Sequence, residues 1–272
     1  KKRERAIMES FFFDWSKKPD PLGALFGDKY PPSEISKDWP LMDVRYALII
    51  SLLYLVVIYM LVKYMENRPA YDLFSFRVFH NAFLVILSGY MCIGIAYEAY
   101  SNGYGLFCND AISPDVDRPM ARLIWIFYVS KIYEFLDTVI MALRNKSQQI
   151  TVLHLYHHFS IFLIWWLNLY YFPQGDAYFA PMYNAFIHVL MYSYYLLTSF
   201  NIPCPWKSFI TKFQILQFVF FVLQGAWEIL VPGCLDIKEL SIINFFYALS
   251  LLALFVDFYR KTYLKRRPTK KD

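Results

Sequence analysis

Residues 44 to 63 read VRYALIISLLYLVVIYMLVK, and from Tyr46 through Leu61 the run carries no charge. An apolar run of about 20 residues crosses a hydrocarbon layer roughly 30 Å thick as a helix, which satisfies its own backbone polar groups where water is absent. Working outward, comparable runs recur at approximately 76 to 98, 121 to 143, 150 to 171, 178 to 199, 209 to 231 and 241 to 260. The sequence therefore predicts an all-α, polytopic membrane protein with seven transmembrane helices over 44–260. An irregular segment with Pro19, Pro21, Pro31, Pro32 and Pro40 precedes them over 1–43, and a basic tail follows over 261–272. A composition of 58% hydrophobic, 21% aromatic and 18% charged residues excludes a disordered chain or a nucleic-acid-binding module.

Charge placement orients the bundle, because short cytosolic loops collect Lys and Arg. Loops after the first, third and fifth spans hold Lys63, Arg68, Arg144, Lys146, Lys207 and Lys212. Loops after the second, fourth and sixth hold mainly Asp110, Asp115, Asp117, Asp176, Asp236 and Glu239, against Arg118 and Lys238. With Arg260, Lys261, Lys265, Arg266, Arg267, Lys270 and Lys271, this places the C terminus in the cytosol and the N terminus across the membrane. Lys1, Lys2, Arg3 and Arg5 dissent, but from too far away to carry topological weight. Residues 6 to 13 are too short an apolar run for a secretory signal peptide. Cys108 and Cys234 fall on the non-cytosolic side, where a disulfide is chemically open. The pairing needs a Cα distance that sequence does not supply. Asn145-Lys146-Ser147 matches a glycosylation acceptor but falls on the cytosolic side.

The first span has no interior polar group. The others carry Arg77, Lys131, Glu134, Asp137, four histidines or Glu228, which is expensive in hydrocarbon and implies a polar interior shared between helices. At about 100° per residue, His154, His157 and His158 share one face of the fourth span. Asn184, His188, Met191 and Tyr195 make a stripe on the fifth; Thr211, Gln214, Gln217, Gln224 and Glu228 mark the sixth. Imidazoles at membrane depth serve as nucleophile, acid, base or metal ligand. His80, alone in the second span, reads as a structural histidine. Lys131 with Glu134 reads equally as a neutralising pair or a catalytic one. The Tyr192, Tyr194 and Tyr195 cluster and Trp165-Trp166 read as packing or an interfacial belt. His-x-x-His-His boxes also occur in membrane desaturases, whose two-iron centres need more histidines than the five present. A zinc held by three histidines stays open by count.

Lys131-x-x-Glu134-x-x-Asp137-Thr138, His154-x-x-His157-His158, Asn184-x-x-x-His188-x-x-Met191-Tyr192-x-Tyr194-Tyr195 and Thr211-x-x-Gln214-x-x-Gln217 together resemble the ELO family of fatty-acid elongases, in order and in helix placement. The likeness runs from about residue 44 to 267, and the Tyr and Phe content is more similar to elongases of polyunsaturated chains. The resemblance implies a 3-ketoacyl-CoA synthase of the endoplasmic reticulum that condenses long-chain acyl-CoA with malonyl-CoA, releasing CO2 and CoA. It implies helices 2 to 7 as an inverted barrel around a substrate tunnel, with helix 1 peripheral. It implies no cofactor, since acyl-CoA and malonyl-CoA enter as substrates.

It further implies a ping-pong route through an acyl group on His157. His188, His158 and Asn184 would supply donors to the enolate, while His154 and Asp137 hold tautomers and orientation. Lys131, Glu134, Thr138, Tyr192, Tyr195, Gln214 and Gln217 would support them. Arg144, Lys146, Lys207, Lys212, Arg260 and Lys261 would meet the CoA phosphates, though each also reads as an ordinary cytosolic loop charge. Expected partners are membrane lipids, 3-ketoacyl-CoA reductase, 3-hydroxyacyl-CoA dehydratase, trans-2-enoyl-CoA reductase and a second copy of the chain. The competing classes are a seven-helix receptor, a histidine-ligated metal-dependent lipid-modifying enzyme and a transporter. Against the receptor, the chain has no Asp-Arg-Tyr closing the third span and no Asn-Pro-x-x-Tyr in the seventh. Against the transporter, it shows no repeat.

Overall fold

The computed structural model describes residues 30–234 and 237–264. Among them are seven long helices and no strand: α1 Val44–Met65, α2 Phe74–Ser101, α3 Pro114–Leu143, α4 Val152–Tyr171, α5 Phe179–Ser199, α6 Lys207–Leu230 and α7 Lys238–Tyr259. Short 3-10 turns precede α4 (Ser147–Gln149) and α5 (Gly175–Tyr178), and a π-helical turn, Arg260–Leu264, follows α7. Each of the seven expected spans overlaps one helix. The basic groups at residues 1 to 5, the lead as far as residue 29, Asp236 and the tail from Lys265 lie outside the described residues.

The helix boundaries follow from local chemistry. The Asp43 carboxylate accepts the Arg45 N–H at 2.9 Å and starts α1. α3 begins two turns earlier than its apolar run, because Ser113 caps it, Pro114 needs no N–H there, and Asp115 and Asp117 suit the positive end of the helix dipole. Thr151 Oγ1 accepts the His154 N–H at 3.2 Å, which starts α4 and puts His154 in its first turn.

By length and apolarity, α1, α2, α6 and α7 with its π turn are able to cross a membrane. α3, α4 and α5 fall short because they carry the Lys, Glu, Asp, His and Asn groups that face other helices rather than lipid. Helix contacts run from α2 to α5, α6, α7, α4 and α3 and return to α2. α1 packs chiefly on α3 and α4, outside that cycle. Its opposite face exposes Leu48, Ile49, Leu52, Leu53, Val56 and Met60, a continuous apolar stripe suited to lipid. Between α3 and α4 the core is aromatic, with Tyr128 stacked on Phe162 at 4.5 Å and Phe127 edge-on to Trp165 at 5.0 Å.

One end of the bundle is tied by its loops. Cys108, after α2, is disulfide-bonded to Cys234, after α6, with Cα atoms 4.5 Å apart. Asp176, between α4 and α5, accepts the Cys108 N–H at 2.6 Å and the Asn109 N–H at 2.7 Å. Burial pushes the Asp176 carboxyl above its ordinary range, against the pull of the Asn109 and Cys108 N–H groups. Gly175 has φ +55°, and a Cβ there would stand 2.4 Å from the Asn109 carbonyl oxygen, so no side chain fits. Residues 30 to 43 form turns and bends and are well anchored. Trp166 Nε1 donates to the Met42 carbonyl at 3.0 Å, Trp125 Nε1 to Pro40 at 3.0 Å and the Ser33 N–H to Tyr170 at 2.8 Å.

Candidate active site

The polar groups of α3 recur every three or four residues and so face one direction, into the ring. Lys131 Nζ donates to Glu134 Oε1 at 2.8 Å, and both residues are 1% exposed. Two isolated charges would be untenable there, whereas the pair with further hydrogen bonds is not. Ser130 Oγ donates to the same carboxylate at 3.2 Å, and His188 Nδ1 lies 3.5 Å from it. Lys131 also reaches Asn184 Oδ1 at 3.4 Å, and Asn184 Nδ2 reaches Gln217 Oε1 at 3.4 Å. One polar chain thus links α3, α5 and α6.

Asp137 is held from α2 and α5. His80 Nε2 lies 2.8 Å from its Oδ1, and the Tyr192 hydroxyl donates to its Oδ2 at 2.6 Å. His80 is fully buried, with Nε2 on Asp137 and Nδ1 without a hydrogen-bond partner, and it belongs to the same network as the conspicuous residues. Tyr192 is likewise a hydrogen-bond donor in the network rather than packing alone. His154 Nε2 is 2.7 Å from Thr138 Oγ1, which in turn is 3.0 Å from the hydroxyl of Tyr54 on α1. The peripheral helix therefore reaches the His154 position through one hydroxyl.

On α4 the rings of His154 and His158 lie 4.4 Å apart and those of His157 and His158 5.5 Å apart. The Nδ1 atoms of His157 and His158 are buried without a hydrogen-bond partner. Among the described residues, no group of three or more His, Cys, Asp and Glu is arranged to hold a metal ion.

Two chambers meet at these histidines. The wider, about 510 Å³, is lined by His154, His157, His158 and His188, with Arg77, Arg144 and Lys207. The narrower, about 100 Å³, continues between α4, α6 and α7 toward the disulfide end, past Trp165, Phe221 and Tyr247. His157, Asn184, Gln217 and Phe218 line both. Gln214 lines the wide chamber and donates to Met191 Sδ at 3.8 Å; Tyr195 lines it as well.

Of the six expected CoA cations, Arg144 and Lys207 line the wide chamber, while Lys146, Lys212, Arg260 and Lys261 do not. Lys261 is ion-paired with Asp257 at 2.6 Å, and Lys212 lies over the Phe209 ring at 4.9 Å. Arg77, with its Nε buried and unpartnered, and Asn81 line the chamber without having been expected to. Their spacing with His80 along α2 was a legible signal, hidden by the absence of a neighbouring motif.

The helices close into a ring around a buried polar centre with four histidines, an ion pair and two adjoining chambers. Comparison with known proteins is specific. The family model described as "ELO: GNS1/SUR4 family" matches residues 39–271. The chain is 37% identical over 261 residues to very long chain fatty acid elongase 2 of Mus musculus, covering 92% of this chain and 86% of that protein. It is 38% identical over 252 residues to very long chain fatty acid elongase 5 of Xenopus tropicalis, covering 91% and 84%. For elongase 5 of Homo sapiens the identity is 37% over 235 residues, covering 85% and 78%. The chain belongs to the ELO family, and its apolar helices make it a multi-pass membrane protein.

Proposed function

We propose that this chain is a very-long-chain 3-oxoacyl-CoA synthase that condenses long-chain, polyunsaturated acyl-CoA with malonyl-CoA by a ping-pong route through an acyl-histidine. The observation that carries the route is the position of His157, which lines both chambers and has a buried, unpartnered ring nitrogen. An imidazole nitrogen attacks the thioester carbonyl, the C–S bond breaks, and CoA leaves as the thiol with the imidazole proton. The acyl chain lies in the narrow chamber and CoA in the wide one. Malonyl-CoA then loses CO2, its carbanion attacks the acyl carbonyl, and the C–N bond to His157 breaks as 3-ketoacyl-CoA forms, the imidazole taking up a proton from solvent in place of the one that left with CoA.

The developing enolate needs donors, for which His188, His158 and Asn184 are the candidates. Lys131–Glu134 fixes Asn184 and His188, and Thr138 fixes His154. Enclosure excludes water from the acyl-enzyme. Arg144 and Lys207 meet the CoA phosphates. All seven helices span the endoplasmic reticulum membrane with the N terminus luminal and C terminus cytosolic, α2 to α7 forming the barrel. The reductases and dehydratase that complete a two-carbon extension act on the product. The preference for polyunsaturated chains rests on the aromatic content, 23 Tyr and 26 Phe, part of which lines the chambers.

Intact-protein mass spectrometry after incubation with acyl-CoA alone tests the route. Wild type gains one acyl mass and His157→Ala does not. Product formation with malonyl-CoA but no adduct removes the covalent step and leaves the condensation.

A further inference from the structure

α1 stands outside the ring, yet one of its side chains ends beside the histidines. Tyr54 is buried, its ring stacked on Phe135 of α3 with centroids 4.3 Å apart and lying 6.1 Å from the ring of His158 on α4. Packing on both helices holds the phenol in one place. Its hydroxyl is 3.0 Å from Thr138 Oγ1, and the same Oγ1 is 2.7 Å from His154 Nε2. Thr138 is 0% exposed, so both bonds are out of reach of water.

Counting protons fixes the direction of this chain. Tyr54 has one hydroxyl proton to donate, and Thr138 Oγ1 is its partner. Thr138 also has one, and with Tyr54 donating toward it, His154 Nε2 is the acceptor that remains. Neither hydroxyl has another hydrogen-bond partner among the described residues. Were His154 Nε2 the donor instead, one of the two buried hydroxyl protons would be left without an acceptor, which folded proteins avoid. His154 is thereby assigned as the neutral ring with its proton on Nδ1.

That nitrogen has no partner among the described residues. Unlike Nδ1 of His157 and His158, it is not sealed off, and His154 lines the wide chamber. With the proton on Nδ1 the ring presents an N–H there; in the other tautomer it presents a lone pair. An N–H stabilises charge growing on a reacting oxygen and a lone pair repels it, so the tautomer decides whether His154 aids or opposes the reaction.

We propose, resting on the condensation reading above, that Tyr54 is a positioning residue for that reaction: through Thr138 it holds His154 as an Nδ1–H donor to the wide chamber. The peripheral helix is then a working part of the active site, although no residue of α1 lines either chamber.

The test uses the full chain in lipid nanodiscs, labelled with nitrogen-15 at histidine. Long-range proton–nitrogen spectra report which ring nitrogen carries the proton, and His154→Gln identifies the signal of His154. Wild type is expected in a single Nδ1–H tautomer. Tyr54→Phe keeps the ring and its stacking but is expected to admit the Nε2–H form, Thr138→Val more strongly, while Thr138→Ser retains the wild-type pattern. In steady-state condensation, Tyr54→Phe should lower kcat at least about fivefold with KM for acyl-CoA held within about twofold. Tyr46→Phe, on the exposed face of α1, should change neither. A wild-type Nε2–H tautomer, or a Tyr54→Phe spectrum like that of wild type, overturns the relay and leaves condensation standing. A tautomer change that leaves kcat untouched overturns the positioning role. If wild type condenses no acyl-CoA, the elongase reading falls and the positioning role falls with it, whatever the spectra show.

Discussion

The two chambers share four residues and are built on opposite rules. Around the wide one stand full charges, Arg77, Glu134, Asp137, Arg144 and Lys207, each near an ion partner or toward an end of its helix. The narrow one has no Lys or Arg in its lining; Asn168 and Asn244 pair between α4 and α7, and Gln224 of α6 donates to the Asp176 carbonyl. Ionic groups belong where a charged, hydrated ligand end is delivered; neutral pairs belong where a buried chain must slide past. His157 is at the boundary, with apolar enclosure on one side and ionic reach on the other.

Substituting His157 with Ala should break the comparison at the boundary itself. On the proposed acyl-histidine route, single-turnover condensation is expected to fall at least a thousandfold, with acyl-CoA binding largely kept. Next in size is Lys131→Met. It strands Glu134 as an uncompensated buried charge, and about 3–5 kcal/mol of stability should be lost in denaturant titration. Adding Glu134→Leu should restore most of that stability but not turnover; full recovery of turnover would show the pair to be a neutral filler.

Cys108→Ser with Cys234→Ser should cost about 2–4 kcal/mol. Because the bond lies at the narrow chamber's end, acylation of His157 should change far less than chain selectivity. Removing Arg144 should raise KM for acyl-CoA about tenfold, the scale of one charge-assisted phosphate contact. Lys261→Ala, whose ion pair is surface-exposed, should stay within about threefold. Equal effects at Arg144 and Lys261 would mean that net charge, not the chamber, holds CoA.

The helices were legible because hydrocarbon enforces long apolar runs, and α1 was placed outside by its uncharged run, although Tyr54 and Ser51 turn inward from it. The Lys131–Glu134 pair was legible too, since three residues along a helix fixes neighbours. Asp137 with His80 was not. Their 57-residue separation joins α2 to α3, and no periodicity within one helix names a partner on another. Of the six basic residues expected at the ligand mouth, only Arg144 and Lys207 line the chamber. Which of them turns into the chamber depends on side-chain direction, so Lys261 closed on Asp257 while Arg77, expected only as an interior group, lines the chamber.

The disulfide spans 126 residues of sequence, and every helix from α3 to α6 lies between its halves. During synthesis Cys108 emerges early and waits while those four helices are made. The bond therefore records order of manufacture: the ring is cinched only when its penultimate staff is in place, and a protein stalled before α6 has no means of locking shut an unfinished vessel.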